Sequence, residues 1–152
     1  MGDIKKARNF RNYKVWQDAV DYATKVYKVT AEMPWFEKKG LCDQLQRAVV
    51  SISSNIAEGA AKPSDIEFAH YLDTSLGSAF EVETQLQIAR NVGYLRSGKD
   101  NDNNDNHNPN HNSNVNLNPN NDNDGVTYEE LLSELQDIEK QLNGLISTLR
   151  NS

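Results

Sequence analysis

The stretch from Leu41 to Gly59, LCDQLQRAVVSISSNIAEG, admits few folds. On a helix of 3.6 residues per turn, Leu41, Leu45, Ala48, Val49, Ile52 and Ile56 fall within about 60° of one direction, because side chains three and four apart share a face. That stripe is a core face. The other side carries Arg47, Ser51, Ser54 and Glu58, spaced four, three and four, with Val50 beside the line and Asn55 at its edge. A plain solvated face more often carries Lys and Glu, whereas short side chains let another backbone come close. The line reads as a tight-packing surface, turned either to a neighbour within the chain or to another copy of it.

Three more segments share the helical period. Residues 1–12 read as a short capping or flexible segment. Trp16, Val20, Ala23, Tyr27 and Thr30 then recur at four, three, four and three, which predicts a first helix over about 14–33. Pro34 ends it, since proline disfavours helix in the residue before it and has no N–H for the ladder. Trp35 and Phe36 follow directly; such a pair plugs the end of a bundle or, if exposed, anchors a partner. The second helix is expected over about 37–60, with Gly59 and Pro63 as stop signals. Ser64 and Glu67 form a capping box for a third, over 64–92. Its expected stripe runs through Ile66, Ala69, Leu72, Leu76, Ala79, Phe80, Glu83 and Leu86 to a left-handed stop at Gly93. Thr127 and Glu130 open a fourth over 127–150, with Tyr128, Leu131, Leu135, Ile138, Leu142, Leu145, Ile146 and Leu149 on one side. With no strand signal and two short connections, the expected fold is all-α: an antiparallel up-down-up-down four-helix bundle, one domain over 1–152.

Between the third and fourth helices the composition changes. Asp100 to Asp124 holds 13 Asn and 5 Asp in 25 residues, and only Val115 and Leu117 are sizeable apolar groups. Such a tract cannot bury enough surface to offset the entropy of ordering it. Residues 97–125 are therefore expected to be a disordered Asn/Asp-rich loop, a low-complexity insertion whose closure cost grows only logarithmically with length.

The segment QLQRAVVSISSNIAEG, with VWQDA (Val15 to Ala19) before it and SLGSAFEVETQL (Ser75 to Leu86) after it, resembles the four-helix-bundle proteins encoded in intervening sequences of bacterial 23S ribosomal RNA genes. That family is related to the accessory variability proteins of diversity-generating retroelements. The likeness covers about residues 10–96 and 126–150, and NIAEG, Asn55 to Gly59, is its most specific part. It implies a homopentamer of up-down-up-down bundles, no catalytic residues and no cofactor. It also implies roles in binding nucleic acid or a protein partner, with the accessory subunit of a retroelement reverse transcriptase as the alternative.

The net charge of -6 has to be divided before it says anything about partners. Asp100, Asp102, Asp105, Asp122, Asp124 and Lys99 lie in the loop, leaving 17 acids against 15 bases elsewhere. The body is near neutral. Lys5, Lys6, Arg8, Arg11 and Lys14 make a weak basic arm at the start, the expected phosphate contacts if RNA or DNA is bound. One cysteine, Cys42, excludes an internal disulfide and fits a reducing cytosol. No apolar run reaches the ~18 residues of a membrane span, and MGDIKKARNF has no apolar signal core, so a cytoplasmic protein is expected.

No constellation of residues points to an enzyme. Glu67 and His70 have the E-x-x-H spacing of di-iron bundles, but no second copy exists and both fall outside the core stripe. Asp122, Asp124 and Gly125 resemble part of a calcium loop, yet the position of the bidentate glutamate holds Leu131, and Glu130 is explained as the capping partner of Thr127. Weak metal binding by the Asp, Asn, His107 and His111 of the tract ranks behind a plain low-complexity insertion. Glu83 falls near the middle of the expected third-helix stripe, where an unpaired carboxylate is costly. Glu81 or Glu83 is expected to meet Arg47 or Asn55 in a polar layer that sets register. Thr74, Gly77, Ser78, Glu81 and Gln85 repeat the small and polar face on the third helix. With Arg47, Ser51, Ser54, Asn55 and Glu58 they form the expected subunit interface.

Overall fold

Helices begin where their first free N–H groups find acceptors, and side chains supply these at the starts of the last three of the four long helices. The computed structural model describes residues 8–98 and 125–152. A 3-10 turn, Phe10–Asn12, leads into α1 (Lys14–Thr30). A second 3-10 turn, Trp35–Glu37, leads into α2 (Leu41–Ala60). Here the Glu37 carboxylate folds over to accept the Leu41 N–H at 3.2 Å. The side chain of Ser64 accepts the Glu67 N–H and opens α3 (Asp65–Asn91). Thr127 and Glu130 form a reciprocal capping box at the head of α4 (Tyr128–Arg150). Gly93, with φ 86°, stops the chain after α3 in the left-handed region that suits glycine.

Two boundaries differ from the sequence expectation. α1 stops at Thr30 instead of Met33, because Glu32 and Met33 donate to Val29 and Thr30, tightening the last turn ahead of Pro34. α2 starts at Leu41 instead of 37, since residues 37–40 are spent on the turn and the Glu37 cap. The Asn-rich tract from Asp100 to Asp124, expected to be a disordered loop, lies outside the described residues.

Cross-helix partners fix the direction of each helix. Ser75 on α3 reaches Ile52 on α2 while Ser78 reaches Ser51, so the two run antiparallel. Gln87 and Asp73 on α3 meet Tyr128 and Arg150 on α4. Lys25 and Asp18 on α1 meet Glu134 and Gln141 on α4. The result is an up-down-up-down ring in which each helix packs on two neighbours, most extensively between α2 and α3 and least between α1 and α4. Among the described residues there is no strand, and no helix is long and apolar enough to cross a membrane.

The core holds Leu45, Val49, Ile52 and Ile56 from α2, as the spacing predicts, and Leu131, Leu135, Ile138 and Leu142 from α4. Two faces are rotated from the expected ones. α1 buries Val15, Ala19, Tyr22, Val26 and Val29, leaving Tyr27 exposed and Trp16 and Val20 half-buried. α3 buries Phe68, Leu72, Ser75, Ala79, Val82, Leu86 and Ala89, while Ile66 and Phe80 are exposed and Leu76 is half-buried. Where α3 leaves α2, a Cβ on Gly59 would come within 2.6 Å of Tyr71 Cβ and 2.8 Å of Phe68 Cδ2. Only glycine permits that approach, which is the physical reason for the last residue of NIAEG.

Candidate functional site

The small and polar residues of α2 and α3 divide into an inner and an outer set. Ser51 Oγ and Ser78 Oγ lie 2.8 Å apart, Asn55 Nδ2 donates to the Ser51 carbonyl and hydroxyl at 2.8 and 2.9 Å, and the Ser75 hydroxyl donates to Ile52 O at 2.8 Å. These short side chains let α2 and α3 approach within one chain. Arg47, Ser54, Glu58, Gly77 and Glu81 lie toward the outside, on the far edge of the same two helices. A Cβ on Gly77 would meet nothing within 4 Å, and Phe80 (51% exposed), Ile88 (48%) and Val50 (41%) stand on the exposed flanks. Nothing among the described residues accounts for a glycine and three apolar side chains there.

The expected polar layer of Glu81 or Glu83 with Arg47 or Asn55 does not form. Arg47 pairs with Asp43 one turn away at 3.1 Å, Asn55 is spent on Ser51, and Glu81 accepts from Gln85. The rotation of α3 is the cause, because it carries Glu83 to the α4 side. There Glu83 faces Glu139, a buried residue with one carboxyl oxygen that has no partner. Burial first, and then the facing Glu83, push the Glu139 carboxyl up to about 7. Tyr22 approaches the pair from α1; burial and the carboxylates of Glu134, Glu139 and Glu83 hold its phenol well above the usual range, and its hydroxyl donates to Leu131 O. Glu139 escaped the sequence reading because it stands beside Ile138 at the edge of the apolar stripe, although its place four residues after Leu135 was a usable signal.

The basic arm is only partly a free surface. Lys5 and Lys6 lie outside the described residues. Arg8, an expected phosphate contact, is instead built into the fold: its guanidinium pairs with Asp65, donates to Lys62 O at 2.8 Å and lies 5.0 Å over the Phe68 ring. It closes the α2–α3 corner. Arg11 is exposed over Phe10, and Lys14 pairs with Asp18, whose carboxyl is lowered by the hydrogen bonds from Lys14 and Gln141. All three sit at the bundle end where α1 and α3 begin.

The other candidate groups among the described residues lie apart from one another. Burial pushes the Cys42 thiol up, away from the thiolate that a nucleophile needs. Glu67 and His70 are exposed, with the Glu67 carboxylate accepting from Ser64. Among the described residues no three His, Cys, Asp or Glu side chains converge as metal ligands would. His107, His111, Asp122 and Asp124 lie outside them. A shallow groove of about 230 Å³ follows the open α1–α4 seam, but the Lys14–Asp18 and Lys25–Glu134 pairs on its rim neutralise each other.

At the other end of the bundle the residues after α3 are tied to α4. The Tyr128 N–H donates to Arg96 O at 2.8 Å, and Glu129 accepts the Ser97 hydroxyl at 2.6 Å and the Gly98 N–H at 3.0 Å. Those two bonds hold the Glu129 carboxyl down at about 2.

Comparison with known proteins places these features in context. The family model of the 23S rRNA-intervening sequence proteins matches residues 11–109. No curated protein matches the chain. Among solved structures, a protein of unknown function from the S23 ribosomal protein family of Bacteroides thetaiotaomicron is similar with a TM-score of 0.63 at 19% identity. The match covers 87% of this chain and 97% of that one, and it speaks for the fold.

Proposed function

Because the chain belongs to the family of 23S rRNA-intervening sequence proteins, we propose that it works as a non-catalytic, homo-oligomeric helical scaffold in the cytoplasm that binds RNA or an RNA-handling protein. The observation that carries this reading is the outer surface of α2 and α3. Gly77 costs a helix interior about 1 kcal/mol relative to alanine, and the space around it is open. Phe80, Val50 and Ile88 remain in water on the same two helices. A second copy whose backbone passes over Gly77 and covers these side chains accounts for both features. The pentamer implied by the family resemblance is the proposed assembly, with Arg11 and Lys14 at one end of each bundle for phosphate contact and Lys5 and Lys6 as further contacts from the preceding segment of the sequence.

Light scattering after gel filtration tests the reading. The full chain at tens of micromolar should elute at about five times its 17.1 kDa mass, and Phe80→Glu should reduce that mass. A single-chain mass for the wild type would overturn it.

A further inference from the structure

The turn from Pro34 to Gly40 combines features that the bundle does not use. Trp35 is 86% exposed, more than any other large apolar side chain among the described residues, and Phe36 is 61% exposed. Their rings meet edge to face, with centroids 6.1 Å apart at 79°, so they brace each other while leaving ring faces open. Lys38 and Lys39 follow at the surface, and neither pairs with a carboxylate among the described residues. Arg8, Lys14, Lys25, Arg47 and Arg150, by contrast, each meet one. The single acid of the turn faces inward: Glu37 accepts the Tyr94 hydroxyl at 3.1 Å with one oxygen and the Leu41 N–H with the other. The surface is thus left with two aromatic rings and two unopposed positive charges.

A ligand that complements both carries repeated negative charge and flat apolar faces. We propose that this turn is a stacking platform for single-stranded RNA, with bases on Trp35 and Phe36 and the neighbouring phosphates at Lys38 and Lys39. A duplex keeps its base faces inside the stack and fits less well. The proposal rests on the RNA-binding reading above, narrows it to unpaired strands and adds a contact at the end of the bundle opposite Arg8, Arg11 and Lys14.

Tryptophan emission provides the readout, because Trp16 is half-buried against Phe10 at 5.0 Å and serves as an internal reference. The full chain is titrated with a single-stranded oligouridine at two salt concentrations. Quenching should occur in the wild type and vanish in Trp35→Phe. Trp35→Ala with Phe36→Ala should weaken binding by about tenfold or more. Lys38→Gln with Lys39→Gln should lower the slope of log affinity against log salt by about 1.4, at ~0.7 per phosphate on a single strand. Circular dichroism and solution mass check that each variant keeps its fold and assembly. Wild-type affinity in the double aromatic variant would overturn the platform and leave RNA binding standing. No binding by the wild type would overturn both. Quenching by anionic lipid vesicles but not by oligouridine would assign the turn to a membrane surface and overturn the proposal.

Discussion

Glu83 and Glu139 face each other across the α3–α4 seam, where burial and then the facing Glu83 favour a proton on the Glu139 carboxyl. Glu139 is buried, so its proton has a predictable effect on stability. In the folded chain the Glu139 carboxyl titrates at about 7, above its ordinary 4.5. The folded state therefore binds more protons than the unfolded one between those values. Its contribution is fully present below about 4.5 and is lost as the pH rises through about 7. Glu139→Gln keeps a donor toward Glu83 and removes the titration. At pH 8.5 the variant should be more stable than the wild type, on the order of 2 kcal/mol. Thermal unfolding followed by circular dichroism from pH 5 to 8.5 checks this; identical slopes for the two proteins would remove the raised Glu139 titration from the account.

Glu129 should act with the opposite sign. Its carboxyl is held at about 2 by the Ser97 hydroxyl and the Gly98 N–H, so its contribution is present above its ordinary 4.5 and is lost as the pH falls toward 2. Glu129→Gln should flatten the acid limb of the unfolding curve and leave the alkaline limb unchanged. An acid limb as steep as that of the wild type would contradict the clamp.

Three glycines give a test by sign. Gly144 is exposed within α4, and an added Cβ would meet nothing within 4 Å, so Gly144→Ala should stabilise by about 0.5–1 kcal/mol. Gly59→Ala should destabilise by about 1–3 kcal/mol, because Tyr71 and Phe68 would have to move. Gly77 has the open surroundings of Gly144, but the proposed assembly places another copy over it. Gly77→Ala should therefore fail to stabilise the oligomer or reduce its mass, whereas a gain matching Gly144→Ala would mean that nothing packs there. Denaturant unfolding and light scattering on the same samples give both numbers.

Arg8→Ala removes the Asp65 pair, the bond to Lys62 O and the contact with Phe68 together. It should cost about 1–3 kcal/mol in denaturant unfolding, the range for a hydrogen bond to a charged group. A change below ~0.3 kcal/mol would make Arg8 a free surface charge again.

The fold was legible wherever side-chain types segregate around the helix. α2 separates Leu45, Val49, Ile52 and Ile56 from Arg47, Ser54 and Glu58, so its buried face follows from spacing. α3 does not separate them: Ile66, Phe80 and Ile88 stay in water while Ser75, Ser78 and Gln85 are buried. Periodicity alone could not orient that helix, and the error moved Glu83 onto the wrong seam. α1 contains two adjacent four-three repeats, one from Trp16 and one from Val15, and packing against α2 and α4 selects the second. The pairs Arg8–Asp65 and Glu83–Glu139 join residues more than fifty positions apart, which local spacing does not encode. Trp35 and Phe36 left plug and anchor open because exposure depends on what the rest of the chain covers.

The bonds from Arg96, Ser97 and Gly98 to the first turn of α4 fasten the chain before the long connection directly to the chain after it. Covalent continuity through 99–124 is therefore not the principal thing that holds α4 in its place. A gene for such a bundle can lengthen, shorten or rewrite that stretch without redrafting the helices. The same stitch marks where a reporter could be spliced in, or where the polypeptide could be supplied as two pieces that find each other.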